Sequence, residues 1–236
     1  MTYLNFISDE NLVLAVKKVI GIIEYAEKYS EEKLFSNVID PFSALFDGIT
    51  HNIQYENWIE VEKIRQVQKT MQNAIGDFHQ DILGNVYGCE NLGLGGGLDL
   101  INNELKIIAE IKNKFNTTKG NHKVEIYDAI AAKLKENIYR GYTGYYVEII
   151  PNGKKEYNKA FTPSDNKTKM RRPEIEFIRV IDGKSFYQLL TGEKYALQNL
   201  FEILPTVISD HYEYRFDKDA AKKYVALFRL AFNTEK

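Results

Sequence analysis

Residues 98–112 restrict the fold more than any other part of the chain. Two apolar stretches there flank an Asn-Asn pair. Leu98-Asp99-Leu100 reads as one strand, Asn102-Asn103 as a tight turn, and residues 105–112 as the antiparallel partner. Side chains two residues apart on a strand share a face, so Glu110 and Lys112 lie side by side. The hairpin also brings Asp99 alongside Glu110. Residues 105–111 are apolar but for Lys106 and Glu110, and a charged pair at the end of such a strand points to a task beyond solubility. A helical pattern over 122–138, with Tyr127, Ile130, Ala131, Leu134 and Ile138 inward, and a Tyr- and Ile-rich strand over 142–150 follow. The order strand, strand, helix, strand predicts a mixed α/β (α+β) fold, a central mixed sheet flanked by helices.

The trio Asp99, Glu110 and Lys112 has a definite chemistry. Two close carboxylates repel each other and are best held together by a hard divalent cation. Mg²⁺ takes oxygen ligands and keeps several waters, one of which can act as nucleophile. The carbonyl of Ile111 offers a third oxygen. A lysine beside the cation can orient or deprotonate that water and offset charge growing on a phosphoryl group. These are the parts of metal-assisted phosphodiester hydrolysis.

The following segment carries Asn113, Lys114, Asn116, Thr117 and Lys119. Such side chains suit phosphate oxygens and base edges alike. Residues 112–172 hold 14 Lys and Arg against 6 Asp and Glu, whereas the whole chain carries a net charge of −2. A basic middle in an otherwise acidic chain fits a cleft for duplex DNA. A loop over 161–173 ends in Arg171 and Arg172, which read either guanine edges or phosphates.

The flanks read as helices. Residues 9–29 show helical spacing, and a linker with Asp40-Pro41 follows. A long helix opens with Asn57 as N-cap and Glu60 in the third helical position, carries Val61, Ile64, Val67, Met71, Ile75, Phe78 and Ile82 as its stripe, and stops at Gly84. A strand over 176–181 and helices over 187–208 and 217–232 complete the pattern. One nuclease domain over 1–236 is expected, mainly helical in 1–90, a catalytic sheet core in 91–182 and C-terminal helices in 183–236.

Several classes are excluded. No apolar run reaches the ~20 residues of a membrane span, and the first residues lack a secretory signal, so a cytoplasmic protein is expected. A single cysteine, Cys89, rules out a disulfide and a cysteine-based zinc site. The glycines of 93–97 lack the Lys-Ser/Thr ending of a phosphate loop and lead into a strand, so no nucleotide cofactor is expected; a flexible lead-in to Asp99 fits better. His51, His79, His122 and His211 share no metal-ligand spacing, and only His79 lies in a run of interest.

Taken together, residues 62–80 (Glu62 through Lys69, Asn73 and His79-Gln80), Asp99 and the run Glu110-Ile-Lys-Asn-Lys-Phe-Asn-Thr117, with Lys119-Gly120, resemble type II restriction endonucleases. The group most resembled cuts GGNCC or GGWCC sites. The likeness continues through Tyr145–Ile150, Ile181–Tyr187 and Leu190-Thr-Gly192, and so covers about residues 40 to 205. It implies the restriction-endonuclease-like D…(E)xK core and a Mg²⁺-dependent enzyme acting as a homodimer on double-stranded DNA at a short palindrome. It also implies a further acid from the helix before the core, for which Glu62 is the candidate and Glu60 the runner-up. The motif alone leaves open a structure-specific repair or junction-resolving nuclease, and a DNA-binding protein without catalysis.

Overall fold

The computed structural model describes residues 2–93, 97–118, 120–214 and 217–233. They form two compact units, Lys17–Phe78 and Met1–Val16 with His79–Lys236. Lys119 and the centre of the glycine run, 94–96, lie outside the described residues.

The smaller unit is helical. It holds most of α1 (Asp9–Lys28), then α2 (Ser30–Lys33), α3 (Pro41–His51) and most of α4 (Tyr55–Gly84). Asp40-Pro41, expected as a linker, opens α3: the Asp40 carboxylate accepts the N–H groups of Phe42 and Ser43, and Pro41 fills the first helical position. Asn57 is not a cap. The helix has already begun at Tyr55, and the Trp58 N–H bonds to the Gln54 carbonyl at 2.9 Å. Of the expected stripe, Val61 and Ile64 are exposed while Phe78 and Ile82 are buried.

The larger unit carries one six-stranded sheet in the order β1-β2-β3-β4-β6-β5. Its strands are β1 (Cys89–Asn91), β2 (Leu100–Asn102), β3 (Ile107–Lys114), β4 (Thr143–Ile150), β5 (Asn158–Ala160) and β6 (Ile178–Asp182). β3, β4 and β6 run parallel at the centre, and β1, β2 and β5 join antiparallel at the flanks. The sheet is therefore mixed, as expected. Helix α5 (Gly120–Leu134) makes the crossover from β3 to β4, the connection a parallel pair requires. α6 (Gly183–Thr191), α7 (Ala196–His211) and α8 (Lys218–Phe232) follow β6.

The register fixes what shares a face. Ile108 pairs with Gly144, Glu110 with Tyr146 and Lys112 with Glu148, and these align in turn with Ile178, Val180 and Asp182. Helix α5 covers the apolar end of this face, where Ile126, Tyr127 and Ile130 pack with Ile101, Ile108, Tyr146, Phe161, Ile178 and Val180. Gly144 lets the helix approach; a Cβ there would stand 2.2 Å from Ile130 Cγ2. The opposite face holds Ala109, Ile111, Tyr145 and Val147, with Phe186 of α6 against the Tyr145 ring at a centroid distance of 5.8 Å.

Three local expectations change. The hairpin turn spans residues 103–106; Asn102 sits inside β2, buried, and its side-chain oxygen accepts the Leu105 N–H at 2.8 Å. α5 stops at Leu134, so Ile138 lies beyond it and is 72% exposed. The expected single helix over 187–208 is broken at Gly192, whose φ of 73° closes α6.

Candidate active site

Asp99, just before β2, stands beside the Glu110–Lys112 stretch of β3 at the end of the hairpin away from its turn. The Asp99 N–H bonds to the Ala109 carbonyl at 2.9 Å, and its carbonyl accepts the Leu92 N–H. Its carboxylate takes the Ile111 N–H at 2.6 Å. The side chain is thereby fastened to β3 between the two motif residues. Glu110 and Lys112, one pleat apart, form an ion pair of 2.6 Å, both mostly buried.

Ile111 turns its N–H toward β2, and the N–H and C=O of a strand residue face the same neighbour. The available donors are thus two carboxylates and a main-chain carbonyl, all hard oxygens. Among the described residues no three His, Cys, Asp or Glu gather into one cluster. A donor set this small and this hard suits a cation that keeps several waters, as Mg²⁺ does.

Beside the trio lies a polar assembly that the sequence reading passed over. Glu148 is buried on β4 next to Lys112. One of its oxygens accepts from Lys123 Nζ of α5 at 2.6 Å and the other from the Tyr157 hydroxyl. Lys123 Nζ also reaches the Phe115 carbonyl at 3.0 Å, tying down the chain just after β3. Asp182, fully buried, caps α6 through the Ser185 N–H and accepts the Tyr157 N–H at 2.7 Å. Burial, with the Glu148 carboxylate second, holds the Tyr157 phenol far above its usual range, so it remains a donor. The available signal was a lone carboxylate inside the apolar run Tyr145–Ile150.

The remaining candidates are spread out. Lys114 shares the face of Glu110 and Lys112, while Asn113 points to the other face, where its Oδ1 is buried with no partner among the described residues. Asn116 and Thr117 are exposed, and the Thr117 hydroxyl donates to the Lys114 carbonyl at 2.7 Å. Arg171 is exposed and donates to the Thr162 carbonyl. Arg172 is engaged within the fold: its fork grips both oxygens of Asp128 at 2.8 and 2.7 Å and also reaches Asp165. Glu62 belongs to the smaller unit, where Arg65 and Gln66 donate to its two oxygens at 2.6 and 3.1 Å. His79 is a packing residue: its Nδ1 lies 2.9 Å from the Tyr187 hydroxyl, and burial pushes the imidazole down to about 4.

Comparison with known proteins matches residues 4–213 to the model of the Eco47II restriction endonuclease family. The chain is 40% identical over 237 residues to the type II restriction enzyme Eco47II of Escherichia coli, an alignment covering 96% of this chain and 99% of that enzyme. It is 31% identical over 216 residues to the type II restriction enzyme Sau96I of Staphylococcus aureus, covering 89% of this chain and 82% of that one.

Proposed function

The chain belongs to the Eco47II restriction endonuclease family and is a type II restriction enzyme, and we propose on that premise that it cuts both strands of duplex DNA at a short palindromic, G/C-rich site of the GGNCC type. The observation that carries the assignment of the centre is the bond from the Ile111 N–H to Asp99, which brings one acid beside the Glu110–Lys112 pair.

In this reading Asp99, Glu110 and the Ile111 carbonyl hold Mg²⁺. When bound, the cation supplies a Lewis acid and a water of lowered pKa. Lys112 has two tasks: it orients the attacking water, and its ammonium offsets the charge that develops on the phosphoryl oxygens. The Glu110 carboxylate keeps that ammonium in place. Lys123, Glu148 and Tyr157 keep β4 and the start of the segment after β3 rigid behind the reacting groups. Lys114, Asn116, Thr117 and Arg171 contact DNA, with Asn113 and Lys119 in the same segment. Arg172 shapes the loop that presents Arg171, and Glu62, already paired with Arg65 and Gln66, is assigned no part. Two copies of the chain, one per DNA strand, act in the cytoplasm. A palindrome matches a two-fold dimer.

The test is digestion of a fully sequenced, unmethylated phage DNA with Mg²⁺ and, separately, with EDTA, followed by sequencing of the fragment ends. Discrete Mg²⁺-dependent fragments sharing one palindrome are expected. Cleavage confined to branched DNA, or ends without a common sequence, would overturn the reading.

A further inference from the structure

Among the described residues near the trio, Tyr146 is fully buried and its polar atom has no use in the hydrolytic reading above. It lies on β4, directly across from Glu110 and one pleat before Glu148, on the face that carries Lys112. Its side chain is wholly out of solvent. Its ring serves the core: it stacks on Phe161 with centroids 4.7 Å apart, and Lys123 Nζ stands 5.2 Å over it. Phenylalanine would do all of that.

The hydroxyl is another matter. It is shut off from solvent and has no hydrogen-bond partner among the described residues. Thr118 and Glu148 are its nearest polar neighbours, and both stand outside hydrogen-bonding geometry. Burial holds the phenol far above its ordinary range, with the charges of Glu148 and Glu110 adding to the effect, so the group keeps its proton and can donate. A buried hydroxyl without a partner destabilises the fold, and each such group in a native protein calls for an explanation.

We propose that Tyr146 is a further residue of the cation site: its hydroxyl donates a hydrogen bond to an oxygen beside Glu110 that is present only when a divalent cation is bound. This rests on the assignment of Asp99 and Glu110 as the cation's ligands. The register places Tyr146 across from Glu110, the Glu110 charge acts on its phenol, and a buried donor with no partner among the described residues is what such a role requires. The Phe161 stack and the Lys123 ammonium at the ring hold the side chain in place without using the hydroxyl.

The experiment compares full-length wild type, Tyr146→Phe and Glu110→Gln in two assays. Thermal unfolding in EDTA reads the metal-free fold, and calorimetric titration with Mn²⁺ and Mg²⁺ reads cation affinity. Tyr146→Phe should melt at the wild-type temperature or up to about 5 °C above it, because an unpaired donor has been removed. It should bind the cation roughly three- to tenfold more weakly, the effect of one lost hydrogen bond. Glu110→Gln should bind far more weakly still. A Tyr146→Phe protein that melts lower in EDTA would show that the hydroxyl already has a structural partner. One that binds cations as the wild type does would show that it is idle. Either result overturns the proposal. Weak binding by Glu110→Gln with unchanged binding by Tyr146→Phe would sink the Tyr146 assignment alone, whereas equal binding by wild type and Glu110→Gln would sink the underlying site assignment as well.

Discussion

Replacing Lys123 with methionine tests how the site is braced. The ammonium pairs with Glu148 at 2.6 Å, and Glu148 is only 4% exposed. Without Lys123 one carboxylate oxygen faces the interior unpaired, and breaking a buried pair in this way costs about 3–5 kcal/mol. Two features reduce that figure. Tyr157 still donates to the other oxygen, and the Lys123 side chain is 25% exposed, so water reaches part of it. A loss of about 2–3 kcal/mol follows, or roughly 5–10 °C in melting temperature for a chain of 236 residues. Thermal unfolding by circular dichroism, in EDTA, measures it for Lys123→Met, Glu148→Gln and the double variant. Glutamine keeps an acceptor for Tyr157 but carries no charge. The double variant should therefore lose less than the two single losses added together, by about 1 kcal/mol or more. A Lys123→Met protein melting within about 1 °C of wild type, or strictly additive losses, would refute the idea that this pair braces β4.

Asp99→Asn, Glu110→Gln and Lys112→Met should each slow cleavage by about 10³-fold, several kcal/mol of transition-state stabilisation, the first two with melting temperatures near wild type and Lys112→Met with a lowered one, since it leaves the Glu110 carboxylate unpaired; single-turnover digestion checks this, and a wild-type rate from any of them removes that residue from the centre. His79 gives a pH signature. Its folded value of about 4 lies below the ordinary 6.5, so the unfolded chain binds a proton that the folded protein refuses. The stability it contributes is whole above pH 6.5 and is lost as pH falls toward 4, by roughly 3 kcal/mol at most; urea unfolding across that window should show the slope, and His79→Gln should lack it. Gly144→Ala places a methyl 2.2 Å from Ile130 Cγ2 and should cost about 1–3 kcal/mol in unfolding free energy, and the double variant with Ile130→Ala should lose less than the two single losses added together.

The elements legible in the sequence were those with strong local periodicity. The strand carrying Glu110 and Lys112, the Tyr-rich strand β4 and the helices α1 and α5 all write their faces into a spacing of two or of three to four residues. Features set by chain ends and turns were harder to read. Asp40-Pro41 has the composition of both a linker and a helix start, and only the hydrogen bonds from Phe42 and Ser43 to Asp40 decide between them. Asn57 looked like a cap because an acceptor before an apolar run is common, yet α4 had started at Tyr55. The break at Gly192 lay within a run whose apolar spacing continues on both sides. At the site, Asp99 and Glu110 could be paired from sequence because a hairpin is a local object. Lys123, Glu148 and Tyr157 come from a helix, a central strand and a later loop. Nothing in their spacing announces that they meet, since parallel pairing and packing across the crossover bring them together.

The bond from the Ile111 N–H to the Asp99 carboxylate also bears on how this enzyme can decay over generations. A gene copy released from selection for cutting is free to shed the charges that cutting needs, but at this position the side chain is also an acceptor for a donor in the middle of the sheet. Alanine there would strand a main-chain N–H, whereas asparagine would abolish the charge and still accept. An inactivated descendant that remains folded should therefore drift first to Asn at position 99, while positions 110 and 112, whose charges answer chiefly to each other, can be lost in either order.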